Sequence, residues 1–156
     1  IAEARREQDA LARFAADPAL QRVRVKNINP AEALVRIAAL TLAADIATAE
    51  KRPDVAVAKL VEATAVEDAL AYDEPHLWLA PTRHALGAAL LAAGKAADAE
   101  RAYREDLRHY PGNGWSLIGL AEAQRRQGNA DAARETGRRF RIAWRNADVT
   151  LPGSRF

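Results

Sequence analysis

The 156-residue chain contains no cysteine and no methionine. Without cysteine there is no disulfide, no thiolate ligand for zinc or an iron–sulfur cluster, and no thiol nucleophile. No run of about 18 apolar residues occurs, so hydropathy predicts no membrane-spanning helix, and no signal-peptide pattern is visible. Serine is nearly absent too: Ser116 and Ser154 are the only two, neither with a base beside it in the sequence. No glycine-rich phosphate loop and no H-E-x-x-H pattern appears. The usual equipment of an enzyme is missing, and a non-enzymatic role is expected.

What is present is alanine, at nearly a quarter of the positions, while the 8 glycines and 7 prolines fall mostly between apolar runs. That composition predicts an all-α protein, long enough for one ordinary core. Net charge is only +2, but residues 114–156 carry 8 arginines against 4 acids. The basic end is the C-terminal quarter. The chain opens on Ile1 already inside a helical pattern, and is expected to be part of a longer product.

Helices are predicted over 1–16, about 31–50, 54–71, 80–93, 96–109, 114–127 and 130–146. The breaks are Asp17-Pro18, Lys51-Arg52-Pro53, Gly94-Lys95, Pro111-Gly112-Asn113-Gly114 and Gly128-Asn129. Asn29-Pro30-Ala31-Glu32 has the form of a helix start, with Asn29 as the cap and proline at the first helical position. Arg22–Asn27, RVRVKN, alternates like a strand but is short and isolated; a connector is expected. His109, ahead of Pro111, suits a helix C-terminus, where a cation complements the dipole.

The spacing inside the helical hairpins carries the most information. Arg83-x2-Leu86-Gly87-x2-Leu90, Ala99-x3-Tyr103 and Pro111 keep the spacing of W-x2-L-G-x2-Y, A-x3-F and P on a 34-residue period. A shift forward by 34 residues aligns Leu120, Ala121, Gly128, Ala130 and Ala133. A shift back by 43 aligns Ala44, Ala56, Leu60 and Glu62. Three repeats are expected at 37–70, 80–113 and 114–147, with an insertion at 71–79. Residues 1–28 would form a capping helix and connector, and 148–156 a tail. Small residues at each crossing let two helices approach, and larger ones fill the space to the next hairpin.

These motifs identify the chain as resembling tetratricopeptide-repeat proteins. Glu74, Pro75, Trp78, Pro81, Arg83, Leu86 and Gly87 resemble the E-P-P-x-W-x-x-P-x-R-x-x-L-G loop in the C-terminal portion of long bacterial members, with His76 at the second proline. The resemblance implies a right-handed superhelix of antiparallel helical hairpins serving as a protein-interaction scaffold.

Two uses stay open for the insertion. It could be a structural splint, with Trp78 supplying the bulk missing at Arg83 and Arg83 paired with Asp73 or Glu74. Alternatively, Glu74, His76, Trp78 and Arg83 could form a recognition surface, or the 73–83 loop could contribute to a small-molecule or metal site completed by an absent N-terminal portion. His76 and His84, eight residues apart, would lie about 12 Å apart along one helix and could not share an ion; no metal and no cofactor are expected. Arg134, Arg138, Arg141 and Arg145 lie along one helix face, but without interleaved aromatics a solvated or subunit-facing stripe is expected rather than a nucleic-acid surface.

Tetratricopeptide grooves bind peptides through the inner face of each first helix. Those positions are His84, Ala88, Leu91 and Ala92 in one repeat, and Ile118, Glu122, Arg125 and Arg126 in the next. The lysine and asparagine of the carboxylate clamp are absent. The expected partner is a protein or peptide, in a compartment, cytoplasmic or periplasmic, that these residues do not specify.

Overall fold

The computed structural model describes residues 1–155. Seven α-helices are present among them: α1 Ala2–Ala15, α2 Ala31–Ala49, α3 Pro53–Asp68, α4 Thr82–Ala92, α5 Ala96–His109, α6 Gly114–Arg126 and α7 Ala130–Ala143. A 3₁₀ turn, Leu20–Arg22, and two short strands, β1 Arg24–Val25 and β2 Asn29–Pro30, complete the set. None of the helices is long and apolar enough to cross a membrane. The chain divides into two compact units, Ile1–Thr82 and Arg83–Phe156.

Three hairpin turns share one construction. Each helix ends with a residue in the left-handed region: Lys51 at φ 60°, Gly94 at 74° and Gly128 at 79°. The next amide then reaches back to a carbonyl five residues earlier: Arg52 N to Ala47 O at 2.9 Å, Lys95 N to Leu90 O at 2.8 Å, Asn129 N to Gln124 O at 2.9 Å. This is the turn that satisfies the last helical carbonyls, and glycine adopts it without steric cost. Only Lys51 does so with a side chain. The turns recur at 43 and 34 residues, the offsets that the alanine pattern shows.

In the first unit α2 packs on α3 and α1 lies against α2. Ala44, Ala56, Leu60 and Ala63 are buried, so the α2–α3 crossing is made from small residues with one leucine between them. No residue of α1 is buried. Two expectations are corrected in the connector. RVRVKN is not isolated: β1 pairs antiparallel with β2, Val25 opposite Asn29. Lys26 and Asn27 both take positive φ, and Ile28 N–H donates to Val25 O at 3.0 Å, which closes the turn. Asn29 is not a helix cap either. Its amide clasps Ala71, donating from Nδ2 to the carbonyl and accepting the N–H on Oδ1, both at 2.8 Å. Buried and facing a backbone 42 residues away, it pairs with that segment rather than with its own helix.

In the second unit α5 packs on α6 and α6 on α7. Tyr103, fully buried, is the central wedge. A Cβ on Gly87 of α4 would lie 2.2 Å from the Tyr103 Cζ, and one on Gly119 of α6 would lie 2.3 Å from it. The two glycines therefore let α4 and α6 close on the ring of α5. Ala99, one turn earlier on α5, is also fully buried, and Ala133 of α7 nearly so. At the far end of the α6–α7 hairpin, Trp144 stacks on Phe140 and meets Trp115 edge-on, its ring occupying the space a side chain on Gly114 would need.

Candidate peptide-binding groove

The inner faces of α4 and α6 line a groove of about 530 Å³. α4 supplies Ala88, Leu91 and Ala92; α6 supplies Ile118, Glu122, Arg125 and Arg126. These are the positions expected from the repeat spacing, and helical periodicity explains why they converge: 88, 91 and 92 share one face, as do 118, 122, 125 and 126. The α4 wall is apolar. The α6 wall carries a charged triad, in which Glu122 accepts from Arg125 at 2.8 Å and from Arg126 at 2.7 Å. Arg126 also donates to the Leu91 carbonyl at 2.7 Å, in the last turn of α4, where a cation offsets the helix dipole. With two cations sharing one anion, the triad keeps a net positive charge.

The remaining wall comes from Pro152, Gly153, Ser154 and Arg155, beyond α7. The Ser154 hydroxyl hydrogen-bonds the Tyr103 hydroxyl at the base of the groove. Burial pushes the Tyr103 phenol up to about 12 from its ordinary 10.0, with the Ser154 hydrogen bond acting in the opposite sense. No local pattern in the sequence signals this contact, which joins residues 51 apart.

His84 does not line the groove. Its Nε2 accepts from Asn113 Nδ2 at 2.7 Å, in an orientation set by Asn113 Oδ1, which takes the Trp115 N–H at 3.0 Å and caps α6. With Nε2 as an acceptor, the ring proton sits on Nδ1, and the 3.3 Å approach of Asp106 Oδ2 to Nε2 is a contact rather than a hydrogen bond. Asp106 is satisfied from other directions, by Ser116 Oγ at 2.6 Å and Asn113 Nδ2 at 3.2 Å. Ser116 thus gains a carboxylate partner from ten residues away. Ser116 and Asp106 are buried, at 0% and 1% exposure, while His84 and Asn113 are half-buried, and together they form a polar strut joining α4, α5 and α6.

The acids of the insertion are engaged within the first unit. Lys26 Nζ donates to Asp73 Oδ1 at 3.0 Å and to the Glu74 carbonyl at 2.8 Å, and the Tyr72 hydroxyl donates to the Glu74 carboxylate. Asp73 Oδ2 is buried without a hydrogen-bond partner. His76 is exposed and meets the Tyr72 ring edge-on. Trp78 is partly buried, whereas Leu79 beside it is 85% exposed. Arg83, also partly buried, is the second residue of α4. At the end of the first unit, Thr82 donates through both its N–H and its hydroxyl to Glu67, at 2.8 and 2.6 Å. No cluster of three or more histidine, aspartate or glutamate side chains that could hold a metal occurs among the described residues. On α7, Arg134 pairs with Asp131 and Arg138 with Glu135. The Arg138 guanidinium holds Glu135 below its ordinary value.

Helical hairpins built on a shared turn, with small residues at each crossing, define an all-α helical repeat. Residues 90–137, from the end of α4 into α7, match the family model described as tetratricopeptide repeat. That stretch is similar to a tetratricopeptide repeat, and the all-helical architecture around it is consistent with a repeat of that type. Comparison with curated proteins and with solved structures gives no match. Tetratricopeptide repeats generally mediate protein–protein interaction or scaffolding, bind protein or peptide partners and are typically non-enzymatic.

Proposed function

We propose that the second unit binds a peptide segment of a partner protein in the groove between α4 and α6, and that the chain acts as a scaffold rather than a catalyst. The reading takes 80–113 and 114–147 as the two repeats that build the groove. One observation carries it: Ala88, Leu91, Ala92, Ile118, Glu122, Arg125 and Arg126, from two helices, line a single groove that is apolar on one side and charged on the other. An apolar wall gives affinity by burial, and a charged wall sets register and excludes like-charged sequences. The net positive triad favours a peptide with an acidic residue opposite α6. On α7, Arg134 and Arg138 are each paired with an acid of their own helix.

The test is selection from a displayed random-peptide library, followed by titration of the selected peptides against Ile118→Asp and Arg125→Glu. Ile118→Asp should abolish binding and Arg125→Glu weaken it, with the helical circular dichroism unchanged. Peptides that bind both variants as well as the parent would place recognition elsewhere and defeat the groove.

A further inference from the structure

The segment after α7 runs along one side of the groove between α4 and α6. Pro152 to Arg155 lie along the groove, Leu151 is buried at 5% exposure and Ser154 at 6%, and the backbone bends through 152–154. Several contacts hold it, and Arg155 is among the residues engaged. Leu151 is the one large apolar side chain it buries, Ser154 reaches Tyr103, and Trp144 Nε1 donates to the Val149 carbonyl at 2.8 Å. Between α7 and this segment, residues 145–150 are all exposed. A tether of six exposed residues spans up to about 20 Å, enough for the segment to leave without disturbing α7. A stretch with so little buried apolar surface belongs to the low-stability end of local opening.

We propose that residues 151–155 are an intramolecular occupant of the peptide groove, which a partner must displace, and that the partner segment shares its chemistry: an apolar residue, a Pro-Gly type bend, and a hydroxyl that takes the place of Ser154 on Tyr103. This rests on the groove reading above. A tether this short holds its segment at an effective concentration on the order of millimolar. A competitor therefore sees the open groove only in the fraction of molecules whose segment has left, and its apparent affinity falls by that fraction. Release of the segment should restore roughly tenfold or more. The arrangement makes the groove selective: only a peptide that matches these contacts gains enough to replace a tethered rival.

The experiment uses a fluorescein-labelled peptide of sequence VTLPGSR, the chain's own 149–155, in polarisation titrations against the full chain and two variants. Leu151→Asp removes the buried anchor, and Ser154→Ala removes only the hydroxyl contact. The parent should bind the probe weakly, Leu151→Asp at least about tenfold more tightly, and Ser154→Ala in between, while Ile118→Asp added to Leu151→Asp should abolish binding. Equal affinity of the parent and both variants would overturn the proposal, as would no binding by either variant. Should Leu151→Asp lose its helical circular dichroism, the comparison of Ser154→Ala with the parent decides alone. The two readings fail separately. Library peptides that depend on Ile118 but bind parent and Leu151→Asp equally leave the groove standing and sink the occupant. No Ile118-dependent peptide for any form sinks both.

Discussion

Gly119→Ala puts the core of the second unit to a direct test, because the same substitution should act with opposite sign at Gly137. In a helix interior, Gly→Ala stabilises by roughly 0.5 to 1 kcal/mol through propensity alone. At Gly137 of α7 the new methyl would find only Arg141 Nη1 at 3.8 Å, so the gain should appear in full. At Gly119 the methyl carbon would lie 2.3 Å from Tyr103 Cζ and 2.6 and 2.7 Å from the flanking ring carbons. The ring has no room to retreat, since Gly87 of α4 crowds the same atoms and Ser154 holds the hydroxyl. Overpacking of this kind costs about 1 to 3 kcal/mol. After the propensity gain is subtracted, a net loss of up to about 2.5 kcal/mol remains, or a fall in Tm of up to roughly 10 °C for a chain of this size. Urea unfolding followed by far-UV circular dichroism measures both variants. Combining Gly119→Ala with Tyr103→Leu should cost less than the two changes summed, because the clash needs both partners. A higher midpoint for Gly119→Ala, or strict additivity with Tyr103→Leu, would refute the wedge.

Tyr103 also imposes a pH dependence. The unfolded phenol ionises near 10, while the folded one holds its proton to about 12, so its contribution is intact below pH 10 and is lost as the pH rises toward 12. Two pH units correspond to roughly 2 to 3 kcal/mol; Tyr103→Phe should show a shallower fall of urea midpoint across that window, and parallel slopes would contradict it. Lys51→Gly should stabilise the first unit by up to about 1 kcal/mol, because glycine relieves the left-handed strain at φ 60° that Gly94 and Gly128 avoid; a lower midpoint would show that the lysine side chain matters more than its backbone. Neither the parent nor the double variant Arg138→Glu with Arg141→Glu should show salt-sensitive DNA or RNA binding, and retention by the parent that the variant loses would reinstate the arginine stripe as a nucleic-acid surface.

Helix ends were legible wherever glycine or proline marked them: Pro53, Gly94, Pro111 and Gly128 are local chemistry, and the observed helices begin or stop within one or two residues of most of them. That 88, 91 and 92, or 118, 122 and 125, share one helix face follows from 3.6-residue periodicity whatever else the chain does. Lys51 was not legible, since a lysine in the left-handed region carries no compositional mark. Nor was the role of Asn29, whose proline neighbour imitates a helix start while its amide serves a backbone 42 residues on. Likewise Ser116 has no base along the chain, and only the folding of α5 against α6 brings Asp106 to it. The contacts that escaped join segments far apart in sequence, and no periodicity encodes them.

The ring of Tyr103 is seated by Gly87, Gly119 and Ser154, three positions spread over 68 residues. Stacked hairpins ordinarily depend only on their neighbours, so a repeat array can open from one end, one hairpin at a time. A side chain wedged against α4 and α6 at once forbids that order of events for the two hairpins. Fraying of 151–155 would bare the hydroxyl first, and loss of α6 would leave the whole ring against water. Residues 83–155 are therefore built to open in two steps: a small local release of the last segment, and then a single all-or-none transition in which both hairpins go together.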